Sequence, residues 1–84
     1  MDLRWTAFAA ICHEEFHRCA FPAELVAACG GHEDIAWATY FHLRGDALAW
    51  LSREVPALDG DTPESLLGAD QADAVRHCLW SMPC

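Results

Sequence analysis

There is no lysine in this 84-residue chain, and its five arginines stand against thirteen carboxylates for a formal charge of −8. A protein that neutralises a phosphate backbone needs a basic patch, so direct binding of DNA or RNA is not expected, and basic partners fit better. Nor is there an acidic tail: residues 1–45 carry six acids and residues 46–84 carry seven, which reads as solvated helix faces. The five cysteines, Cys12, Cys19, Cys29, Cys78 and Cys84, are odd in number and include no C-x-x-C pair, so no disulfide framework is expected and the thiols read as reduced. No apolar run has the length of a membrane span, and the amino-terminal segment lacks the uninterrupted apolar centre of a signal peptide. A cytoplasmic location is the expectation. No stretch alternates in the two-residue rhythm of a strand, and there is no internal repeat.

Hydrophobic residues make up 54% of the chain, with four tryptophans and four phenylalanines, enough for one small core and one domain over residues 1–84. The expected fold is all-α, a compact bundle of four to six short helices. Trp5, Phe8, Ala9, Cys12, Phe16 and Cys19 recur at three- and four-residue steps and make helix one, with Asp2 as its cap. Pro22 opens a short second helix bearing Leu25, Val26 and Cys29, stopped by Gly30-Gly31. Glu33 and Asp34 favour the start of a third, on which Trp37, Phe41, Leu48, Leu51 and Val55 keep one phase across Gly45, where a kink or short break is expected. Beyond a turn at Pro56, Thr62 caps and Pro63 opens the next helix, and Gly68 ends it. Asp70 is placed to cap a last helix with Val75, Cys78, Leu79 and Met82 on one side.

Residues 13–17, HEEFH, match H-E-x-x-H, in which two imidazoles one turn apart hold zinc and the glutamate activates its water. His13, His17 and Glu14 meet the first requirements, but the Arg-Cys-Ala-Phe-Pro-Ala that follows His17 lacks the G-x-x-H continuation of the metzincins, and nothing obvious completes a catalytic site. Catalytic zinc is therefore not expected. His13 and His17, with Cys12 and Cys19, remain weak candidates for a structural metal, against the simpler reading of boundary histidines and small core cysteines. No Ser-centred elbow or phosphate cradle appears, Asp59 and Asp61 read as turn residues, and neither catalysis nor a cofactor is expected.

The segment WLSREVPALDGDTPESLL, Trp50 to Leu67, is the most specific stretch. Leu58 is an apolar residue inside a turn, which makes sense only if the turn folds back to bury it beside Trp50 and Leu66. With Trp50, Leu51, Pro56, Leu58, Gly60, Pro63, Leu66 and Leu67 in register, the segment resembles the carboxy-terminal toxin-binding domain of the Xre/MbcA/ParS antitoxin family, over about residues 47–79. Residues 46–84 then form the toxin-binding-like region, and residues 1–45 are amino-terminal helices whose relation to the family's DNA-binding segment is left open. The resemblance implies a protein-binding module without catalysis that neutralises a RES-type, NAD-consuming toxin by covering its active site. Such antitoxins carry a DNA-binding segment before this domain and a longer tail after it. Here the expected contacts fall instead to Trp80, Leu79 and Met82, with Glu64 and Asp61, and Trp80 is expected to be at least partly exposed. The alternative is a phage or mobile-element inhibitor, anti-CRISPR-like, whose carboxylates occupy a basic nucleic-acid-binding protein. A zinc-binding domain on HEEFH ranks below both, and self-association is left open.

Overall fold

The structure, a computed structural model, describes residues 3–82. It is all-α, with no strand among those residues. Helix α1, Leu3–Phe16, buries Trp5, Ala9 and Cys12 at four- and three-residue steps. It stops three residues short of the expected end, where Cys19 N–H closes a turn onto the Phe16 carbonyl at 2.9 Å and still delivers Cys19 to the core. The expected cap, Asp2, lies outside the described residues.

Helix α2, Pro22–Ala28, starts on its proline and sinks Leu25 completely. Gly30 and Gly31 end it with φ of 69° and 85°, a left-handed pair that lets Gly31 N–H reach back to the Val26 carbonyl at 2.9 Å. Helix α3, Glu33–Leu43, is the centre: α1, α2 and α4 (Ala47–Leu51) and α6 (Ala72–Ser81) all pack on it. It is therefore buried on several sides, through Ile35, Ala36, Ala38, Thr39 and Tyr40. The one polar member, Thr39, satisfies its hydroxyl by donating to the Ile35 carbonyl at 2.7 Å.

The expected interruption near Gly45 is a break, but glycine does not make it. Arg44 takes the unusual backbone, φ 50° and ψ −121°, and a 3-10 turn over Arg44–Asp46 leads into α4. The arginine is held there by an ion pair to Glu15 at 3.4 Å and by its place over the Tyr40 and Phe41 rings.

The turn after α4 closes on itself. Val55 N–H donates to the Asp61 carbonyl, Gly60 N–H to the Val55 carbonyl, both at 3.1 Å, and a 3-10 turn, Pro56–Leu58, fills the loop. Leu58 is buried there, in the same core as Trp50 and Leu66. Thr62 caps α5 (Pro63–Gly68) as expected, its hydroxyl accepting from Ser65 N–H at 3.2 Å. Asp70 does not cap α6. It adopts φ 61° and Gln71 takes the cap position without a side-chain bond, because Gln71 N–H is drawn back to the Leu66 carbonyl at 2.8 Å.

Candidate functional site

The closed turn and α6 face each other across a groove. From the turn come Val55 and Ala57, and from α6 come Ala74, His77 and Cys78, with Met82 just past its end, around a hollow of about 390 Å³. A second hollow of about 330 Å³ adjoins it on the far side of Ala57, Ala74 and His77, walled by Asp59, Asp61 and Leu66. Ala57 and Ala74 line both hollows, and their small side chains leave that space open. One end is apolar, through Val55, Cys78 and Met82, and the other carries the exposed carboxylates of Asp59 and Asp61. Burial pushes the Cys78 thiol up, away from the nucleophilic thiolate, so this wall acts as apolar surface. The site can hold an apolar side chain at one end and a cation at the other.

The residues expected to meet a partner do not form one surface. Met82 and Asp61 stand at opposite ends of the groove. Glu64 is exposed in the first turn of α5 and outside it. Leu79 is corrected: it is fully buried, because it continues the Val75 side of α6 into the core, and it has no surface to offer. Trp80 is 42% exposed on the other flank of α6, where it packs edge-on against Phe8 at 5.4 Å. Sequence reasoning missed Ala57, Ala74 and His77, which form the saddle between the two hollows. On α6 the pattern Ala74, His77, Ser81 has a helical period, but it reads as an ordinary solvent face until the turn is folded over it.

The metal-ligand candidates in and around HEEFH are divided by burial. Cys12 is wholly inside and Cys19 nearly so, whereas His13 and His17 are exposed and the His13 ring lies on Trp37 with centroids 4.3 Å apart. Among the described residues, no three His, Cys, Asp or Glu side chains come together as a metal-ligand set. The donors do not fit zinc: the sulfurs face the core and the imidazoles face solvent.

The strongest polar feature is elsewhere. Asp34, in the first turn of α3, accepts from Trp5 Nε1 at 2.9 Å and from Arg76 Nε at 2.8 Å, and Arg76 also donates to Asp73 at 2.8 Å. Burial tends to raise the Asp34 carboxyl, but the bonds from Arg76 and Trp5 and the arginine charge outweigh it and leave it below its ordinary value. The Arg76 guanidinium is raised, first by its hydrogen bonds to Asp34. These contacts tie α1, α3 and α6 together.

Compared with family models, with curated proteins and with solved structures, the chain matches none of them. No helix among the described residues is long and apolar enough to cross a membrane.

Proposed function

We propose that this protein is a small acidic binding module that neutralises a partner protein by occlusion, similar to the toxin-binding domain of antitoxins paired with RES-type, NAD-consuming toxins. The observation that carries the reading is the geometry of the motif segment. Its buried residues, Trp50, Leu51, Leu58, Pro63, Leu66 and Leu67, anchor a turn closed by backbone hydrogen bonds, and the residues between them, Ala57, Asp59 and Asp61, line the groove against α6. A scaffold of this kind offers a preformed hollow and needs little ordering on binding. An apolar anchor from the partner fills the Val55, Cys78 and Met82 end, contributing about 1.5–3 kcal/mol for a fully buried leucine or phenylalanine. A basic residue beside it meets Asp59 and Asp61, which adds orientation and association rate more than affinity. Cys19, Cys29 and Cys78 are free thiols, as the reducing cytoplasm proposed for this module would keep them.

Co-expression with a RES-type toxin, with cellular NAD as the readout, tests the reading. Protection of the NAD pool is expected, and Ala57→Arg or Ala74→Arg, which fill the saddle, should abolish it without altering the helical circular-dichroism spectrum. Protection that survives both substitutions and fails with Trp80→Ala would move the contact to the other flank. Absence of protection, with capture of a basic nucleic-acid-binding protein that rising salt releases, would favour the inhibitor reading suggested by the charge of −8.

A further inference from the structure

Of the side chains that line the two hollows of the groove, His77 alone can carry a positive charge, and it lines both of them. It is exposed on α6, on the side where Ala74 and Ser81 also meet the groove. The contacts that hold α6 to the fold are made by other residues: Arg76 bonds to Asp34, the Leu79 carbonyl meets His42, and Trp80 packs on Phe8. What faces His77 across the groove comes from the closed turn and from α5. The turn contributes the carboxylates of Asp59 and Asp61, and α5 contributes Leu66, which has no charge. On α6 itself Asp73 stands one turn back, but it already accepts from Arg76 Nη1 at 2.8 Å. Cys78 stays a neutral thiol, its proton held more tightly by burial, and Gln71 and Ser81 are uncharged. Arg53, Glu54, Glu64 and Asp70 are exposed and line neither hollow.

We propose, on the reading that the groove is the contact site, that His77 is a proton-operated gate: a cationic partner is held while the imidazole is neutral and released when it is protonated. Histidine is the side chain whose charge ordinarily changes between about pH 5 and about pH 8. A basic residue seated in the acidic hollow feels Asp59, Asp61 and His77 together, because all three line that one space. With His77 neutral the guest meets two carboxylates and no opposing charge. One proton on the ring changes both sides of that balance, since the imidazolium competes for the carboxylates the guest uses and also repels the guest. Each change is that of an exposed charge pair, so the two together should weaken binding about three- to twentyfold. An uncharged guest at the Val55, Cys78 and Met82 end feels neither effect. By reciprocity, seating the cation must favour the neutral ring.

The probe is the peptide acetyl-Leu-Arg-amide, with acetyl-Leu-Gln-amide as its uncharged comparison, titrated into the whole chain from about pH 8 to about pH 5.5. Binding is read from the methyl resonances of Ala57, Ala74 and Met82, which line the groove. So small a guest should bind at pH 8 with a dissociation constant of roughly 1 mM. Across the range the arginine peptide should weaken about three- to twentyfold and the glutamine peptide less than about twofold. His77→Gln cannot titrate, and its affinity for the arginine peptide, whatever its value at pH 8, should hold within about twofold. His42→Gln lies outside the groove and should keep the wild-type profile, while circular dichroism at each pH separates release from unfolding. In the wild-type chain at about pH 6.5 the His77 ring resonances should report less protonation with the arginine peptide bound than without it. Binding indifferent to acid, a profile unchanged in His77→Gln, or His77 protonation unmoved by the peptide would overturn the gate and leave the groove standing. Groove methyls that do not respond to the peptide at pH 8 would overturn the groove as the contact site, and the gate with it.

Discussion

Arg76 and Asp34 are 42 residues apart in the chain and 2.8 Å apart in the fold, and the carboxylate oxygen that takes Arg76 Nε also takes the indole N–H of Trp5 at 2.9 Å. Their side chains are 17% and 29% exposed, so removing one partner leaves the other charge poorly hydrated. Asp34→Asn should lower unfolding free energy by about 2–3 kcal/mol, read from the urea midpoint with its slope unchanged. Asp34→Leu combined with Arg76→Met should lose less than the sum of the single changes, because no unpaired charge is then left behind.

Two groups give the stability a pH dependence. Asp34 is held below its ordinary 3.8, so its contribution is full above that value and is lost as pH falls through the lower, folded-state value. His42 is also lowered, from 6.5, mainly by burial and against the pull of its bond to the Leu79 carbonyl at 3.0 Å. The unfolded chain therefore binds this proton more readily, and stability should begin to fall as pH drops below about 6.5. Thermal melts from about pH 8 to about pH 3 should show both steps. His42→Gln, which keeps a donor and cannot titrate, should flatten the first and spare the second.

Leu58→Asp should unfold the protein or remove at least about 3 kcal/mol, because it places a charge inside a closed turn whose leucine is 7% exposed. Ala57→Asp, one residue earlier and exposed, should change the melt little. Equal melts for Leu58→Asp and wild type would remove the account of the turn.

At the break between α3 and α4 the strained residue is Arg44, while Gly45 has no positive φ and a Cβ added there meets nothing within 4 Å. Gly45→Ala should therefore stabilise by about 0.4–1 kcal/mol through the unfolded state. Arg44→Gly relieves backbone strain and loses the ring and Glu15 contacts, and it should come out near neutral. Chemical denaturation of the two variants side by side separates these effects.

Much of the fold was legible because its instructions are local. Pro22, Gly30-Gly31, Thr62-Pro63 and Gly68 set helix ends within one turn of chain, and the Trp5, Ala9, Cys12 stripe faces the core as its period requires. The errors fell at positions where a neighbour decided. Cys19 reaches the core from a turn, and Asp70 yields its cap because the chain is pulled back to Leu66. His77 and Ala74 looked like solvent face, yet with Ala57 they frame the groove.

The sequence by itself determined the helical class, the order of the segments and the inward leucine of the turn, since periodicity and backbone preference act over a few residues. Only the tertiary structure decided that Asp34 would meet Arg76, that the break before α4 would fall on Arg44, and that two alanines would leave a groove. Those outcomes depend on which surfaces distant in the chain are pressed together, 42 residues apart for Arg76 and Asp34, and no local pattern of side chains carries that information.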